Sequence, residues 1–190
     1  KTLLLIVLVT TSLVSYSHGV ERWINVGTAV YKIKKGEIAL EKLNFNLNGN
    51  IVNKEIGVDL DIESKGEGLE IEELFSLFPS KQKEALSAYK TKGKISYSSK
   101  IKGELSAKKS PSFNANFSIA NGAITEKSSN QSLTNLSVAG NFTNGNKNNT
   151  KSSKLNLSEL SADFGAGQIS GNYVITNFSN PYIEFQSKAN

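Results

Sequence analysis

Apolar and polar residues alternate with a period of two along most of this chain. "EIGVDLDIE" (55–63) sets Ile56, Val58, Leu60 and Ile62 on one side and Asp59, Asp61 and Glu63 on the other. "ISYSSKIKGEL" (95–105) repeats this with Ile95, Tyr97, Ile101 and Leu105, and "FNANFSI" (113–119) with Phe113, Ala115, Phe117 and Ile119. "LSVAGNF" (136–142) adds Leu136, Val138 and Phe142. Successive side chains of a strand point to opposite faces, so this period predicts antiparallel strands with one buried and one wet face.

One stretch changes period. In "LEIEELFSLFPSKQKEALSAY" (69–89), Ile71, Leu74, Phe75 and Phe78 fall at i, i+3, i+4 and i+7, the stripe of a helix. Glu70, Glu72 and Glu73 are expected in its first turn, where the helix dipole favours carboxylates. Pro79 is expected to end it and Ser80 to cap a second short helix carrying Leu86 and Tyr89. The expectation is a sheet interrupted by a short helical pair at about 69–89.

A glycine motif recurs inside the strands. "NLNGNI" (46–51), "KIKGEL" (100–105), "SVAGNF" (137–142) and "QISGNY" (168–173) all read apolar-x-Gly-x-apolar, with Gly49, Gly103, Gly140 and Gly171 as notches on the apolar face. Strand glycines mark bends or close approaches, so four such notches predict repeated hairpins in a strongly curved antiparallel sheet. "FGAGQISGNY" (164–173) invites a phosphate-loop reading, but "NYVITNF" follows it with no helical stripe. A phosphate loop needs a helix N-terminus there, so this segment is read as a hairpin corner.

Charge changes the picture mainly by its distribution. The net charge is +5, yet 55–73 carries eight acidic residues against Lys65, and 80–110 carries nine lysines against Glu84 and Glu104. Strand 55–63 is therefore expected to pair antiparallel with 92–102, joined by the helical excursion, because opposite charges facing across strands are favourable. The lysines alternate with apolar residues and the only arginine is Arg22, which argues against a nucleic-acid surface. The 38% hydrophobic content suits thin sheets with one wet face. One domain is expected from 190 residues. Seven N-x-S/T sequons are attributed to the abundance of asparagine.

Several chemistries lack their residues. Cysteine is absent, and His18 is the only histidine, in the leading apolar segment. Disulfides, thiolate or histidine metal sites and a Ser-His-Asp triad are thereby excluded from the domain. Ser80 and Ser106 begin S-x-x-K matches without the companion motifs of serine acyl-enzymes. Asp59 and Asp61 fall on the presumed wet face, with no apolar shell to raise a pKa. The chain is expected to be non-enzymatic, with no cofactor and no metal. Residues 1–30 are expected to be a signal-like or leading strand segment, since "KTLLLIVLVTTSLVSYSHG" fits either reading.

"VYKIKKGEIALEKLNFNLNGNI" (30–51), the helix with Leu-Phe-Pro, the strands after it, and "ADFGAGQISGNYVITNFSNPYIEFQSKA" (162–189) occur in an order that resembles the C-terminal region of AsmA-like proteins. The resemblance covers about 30–190, implies that 31–190 is a β-groove domain, and suggests a fragment of a longer chain. It implies a periplasmic protein of a Gram-negative-type bacterium, anchored to the inner membrane through a part of the chain not in this sequence. It also implies a role in outer-membrane assembly and phospholipid transport, with acyl lipid and other envelope proteins as partners and no nucleic acid.

The physical reading meets that expectation at one point: an extended apolar face on a sheet must be covered by something. Candidate acyl-chain contacts are Leu47, Ile51, Val58, Leu60, Ile95, Tyr97 and Ile101, continuing through Phe113, Phe117, Val138, Phe142, Ile169, Tyr173 and Phe185. None offers a charge, so headgroup specificity along this face is expected to be weak. The alternative is a structural or adhesive β module with a closed core and no lipid.

Overall fold

In the computed structural model the described residues are 20–25, 28–40, 43–76, 84 and 86–190. They form one ten-stranded antiparallel sheet in which spatial order is sequence order. The strands are β1 (Val20–Asn25), β2 (Thr28–Leu40), β3 (Leu43–Asn53), β4 (Val58–Glu70), β5 (Tyr89–Leu105) and β6 (Ser112–Glu126). They continue as β7 (Ser132–Thr143), β8 (Lys154–Phe164), β9 (Gly167–Thr176) and β10 (Tyr182–Ala189). The helix α1 (Ile71–Ser76) lies between β4 and β5. The sheet is not closed: β1 and β10 pair on one side only.

The expected pairing of the acidic and basic segments is present. On the wet face Asp61 stands opposite Lys102, Glu63 opposite Lys100 and Glu70 opposite Lys94. Lys100 Nζ lies 2.8 Å from Glu63 and 3.9 Å from Asp61. The complementarity stops at the strand ends, where Asp59 faces Glu104 and each carboxylate turns to a different amine, Lys54 at 3.2 Å and Lys109 at 2.8 Å.

Three details differ from the sequence expectation. Ile56 is in the β3–β4 turn and 75% exposed, because the strand begins only at Val58. Glu70 closes β4 rather than opening the helix, which has Glu72 and Glu73 in its first turn. Tyr89 is the first residue of β5, where pairing with Glu126 on β6 outweighs its helical spacing. Of the helical pair, α1 is described in full and Glu84 and Leu86 are helical, while the expected roles of Phe78, Pro79 and Ser80 lie outside the described residues. So do residues 1–19 of the leading segment, whereas 20–25 and 28–30 are already strand.

Breaks in the alternation coincide with β-bulges. The register slips between Ile33 and Gly36, Gly66 and Leu69, and Ile119 and Gly122. It slips again between Leu133 and Leu136, and between Leu157 and Leu160. In each case three steps on one strand oppose two on its neighbour, so two residues three apart reach the same face. Asn121, Asn135 and Glu159 take φ near +50° at these points. The Asn172 side chain accepts a hydrogen bond from the Glu159 N–H at 3.1 Å, satisfying a donor that the disrupted ladder leaves over. A bulge bends its strand and increases local twist.

Candidate functional site

The registers assemble the apolar residues into rows that cross the sheet. One row runs Ile33, Gly49, Ile62, Ile101, and a neighbouring one runs Ile51, Leu60, Gly103. A longer row runs Gly66, Tyr97, Phe117, Gly140, Leu157, Tyr173, Phe185, from β4 to the β10 edge. Leu69, Ile95, Ile119 and Val138 form another. All fourteen expected residues therefore fall on one face, including Leu47, Val58, Phe113, Phe142 and Ile169.

The glycine notches have distinct causes. Each stands directly across from a large apolar residue: Gly49 from Ile33 and Ile62, Gly103 from Leu60, Gly140 from Phe117 and Leu157, Gly171 from Leu160. At Gly140 the Phe117 ring occupies the space a Cβ would take. At Gly171 the obstacle is the Gln186 carbonyl of β10. Gly103 has open space, its nearest neighbour being Pro111 Cα at 3.8 Å, and it is required by its φ of +113°. Only Gly140 is thus a notch filled by a side chain from the apolar face.

Two clusters seal one end of this face. Ile33, Leu47, Leu60, Ile62 and Ile101 are buried together, with Ile51, Val58, Leu105 and Phe113 against them. Leu43, Phe45 and Leu69 form the second, closed by Leu74 of α1 and by Ile95 and Tyr97. The Tyr97 hydroxyl stays partnered at this depth through Ser64 Oγ at 2.9 Å. Burial pushes the Tyr97 phenol above its ordinary pKa, and the Ser64 hydrogen bond opposes this. Farther along, rings replace aliphatic contacts. Phe113 meets Phe142 at 5.8 Å, Phe142 meets Phe178 edge-on at 5.7 Å, and Tyr173 stacks on Phe185 at 5.9 Å. Phe178 comes from the β9–β10 turn and had no strand period to announce it.

Leu133, Leu155, Leu157, Leu160 and Ile175 belong to the same face and escaped the sequence reading. For Leu133, Leu157 and Leu160 the signal is the apolar-x-x-apolar spacing with Asn135 or Glu159 third, which a strict period of two hides. Among the described residues no group of three or more histidines, cysteines or carboxylates is arranged to hold a metal. No described helix is long and apolar enough to cross a membrane. No protein-family description, curated protein or solved structure matches the chain.

Proposed function

We propose that this chain is a non-enzymatic segment of an envelope protein whose apolar sheet face forms a groove for phospholipid acyl chains. The observation that carries this reading is the row from Gly66 to Phe185, an apolar track crossing seven strands that is buried at Gly66, half-buried from Tyr97 to Tyr173 and 65% exposed at Phe185. Bulges on β2, β4, β6, β7 and β8 favour a sheet that curls along its length, with the apolar side as a trough. Burial of hydrocarbon at about 25 cal/mol per Å² would supply the binding energy. The likeness of residues 30–190 to AsmA-like proteins adds a setting: the periplasm, in support of outer-membrane assembly and lipid transport.

The sealed clusters around Ile62 and Leu43 favour a second reading, a β module with a closed core and no ligand. Photo-crosslinkers at positions 117 and 173 in cells, with native mass spectrometry of the purified protein, separate the two. The groove reading expects lipid adducts at both positions and co-purifying lipid. It also expects Phe117→Asp to cut lipid occupancy, since an unpaired charge would face hydrocarbon. Capture of protein neighbours alone, with no lipid in the spectrum, establishes the closed module instead.

A further inference from the structure

The lysines of β5 divide into two groups. Lys94, Lys100 and Lys102 face Glu70, Glu63 and Asp61 across the β4–β5 ladder. That ladder ends at Glu70, and β5 continues beyond it to Tyr89. Lys90 and Lys92 are therefore opposed only by Thr125 and Ala123 of β6. Neither has a carboxylate within ion-pair distance among the described residues.

These two lysines border a cavity of about 410 Å³, and Lys127 joins them from the β6–β7 turn. Lys127 is fixed there twice: its N–H donates to the Ala88 carbonyl at 2.9 Å and its Nζ to the Ser87 carbonyl at 2.5 Å. An ammonium has three donors, so two remain to be aimed elsewhere. Among the described lining residues Glu72 is the one acid, so they present three amines against one carboxylate, a net charge of +2. The rest of the wall is of another kind. Phe75 and Leu86 line it, and so do Tyr89 and Thr91, which by alternation share the face of Ile95 and Tyr97. The volume lies within the roughly 300–1,000 Å³ of small-molecule sites.

We propose that this cavity holds the phosphate headgroup of an anionic acyl lipid, with the chain continuing onto the apolar face past Thr91. The proposal rests on the acyl-chain reading of that face and adds a headgroup class where the apolar rows alone offer none. Lysine amines bind phosphate as point charges, so the site would select for charge rather than for a particular alcohol on the phosphate. Free inorganic phosphate shares this chemistry and is the alternative source.

The test uses the full chain with three probes: dihexanoyl phosphatidylglycerol, dihexanoylglycerol and inorganic phosphate. Binding is followed by amide chemical shifts at Thr91 and Lys127. The expected result is tighter binding of phosphatidylglycerol than of the neutral lipid. Lys90→Ala/Lys92→Ala should weaken the anionic lipid about tenfold or more and leave the neutral one unchanged. Lys154→Ala, an exposed lysine on β8, should change neither. Equal binding of both lipids, untouched by the double variant, overturns the headgroup site and leaves the acyl-chain reading standing. An equal loss in Lys154→Ala reduces the effect to net charge and overturns the site as well. Shifts with inorganic phosphate and with neither lipid assign the cavity to free phosphate, and both lipid readings fall. Thermal melts confirm that the double variant is folded, and Lys92→Gln serves in its place if it is not.

Discussion

The apolar face meets two fates in one sheet. On β4 and β5, Leu60, Ile62 and Ile101 are only 4%, 2% and 4% exposed, whereas on β10 Ile183 and Phe185 are 54% and 65% exposed. Residue type and alternation are alike in the two regions. The difference is in what surrounds them: β4 and β5 have neighbours on both sides and α1 over one end, while β10 has β9 alone. Periodicity assigns a residue to a face, and neighbours decide whether that face is core or surface. In the first region protein supplies the apolar contacts, and in the second they are left open.

Truncation should expose this contrast most sharply. Ile62→Ala removes buried methyl groups and is expected to cost about 2–5 kcal/mol in urea unfolding, against under about 1 kcal/mol for Phe185→Ala. Similar losses would mean that β10 is as integral to the core as β4, and the two-region picture would be abandoned.

The glycines sharpen the comparison at intermediate size. Gly140→Val and Gly103→Ala are each expected to cost about 1–3 kcal/mol, the first by overpacking against Phe117 and the second by backbone strain. Adding Phe117→Leu should recover part of the Gly140→Val loss and none of the Gly103→Ala loss. Equal recovery in both would refute the separate causes.

Removing one hydroxyl tests the sealed end. Tyr97→Phe breaks the bond to Ser64 and should lower stability by about 1 kcal/mol. An unchanged midpoint would show that solvent already reaches that pair.

The smallest effect is the pH response of the wet face. The hydrogen bond and charge of Lys100 hold the Glu63 carboxyl below its ordinary pKa. Its contribution is therefore present above the ordinary carboxylate value and is lost as pH falls through the lowered one. Lys100 is raised by the same partner, so its share is present below the ordinary lysine value and disappears as pH climbs through the raised one. Glu63→Gln should flatten both limbs slightly. An acid limb identical to that of the unmodified protein would show the pair to be idle, as many exposed ion pairs are.

The strands, the wet and apolar faces, and the β4–β5 pairing were legible because period two and opposite charges are local, repeated signals. The bulges were not, since an extra residue looks like noise in an alternating pattern until the neighbouring strand gives it a register. Gly140 and Gly103 share one motif and hold different roles, one set by a ring on the adjacent strand and the other by a dihedral angle. Tyr89 shows the converse: helical spacing lost to a cross-strand ladder whose partner lies 37 positions away, at Glu126. What lay hidden depended on a neighbour across the sheet or, at Gly103, on the local backbone angle.

Because the sheet is a plain meander, each strand is held by the one before and the one after it. Such a chain behaves as a nearly one-dimensional system, in which stability is a sum of units and their shared borders. Pulling from the last residue should therefore peel β10, then β9, then β8 in small steps instead of rupturing the sheet at once. The same property makes length an adjustable quantity: a hairpin spliced in at the β8–β9 turn would widen the apolar face by two strands while leaving the Ile62 and Leu43 clusters as they are.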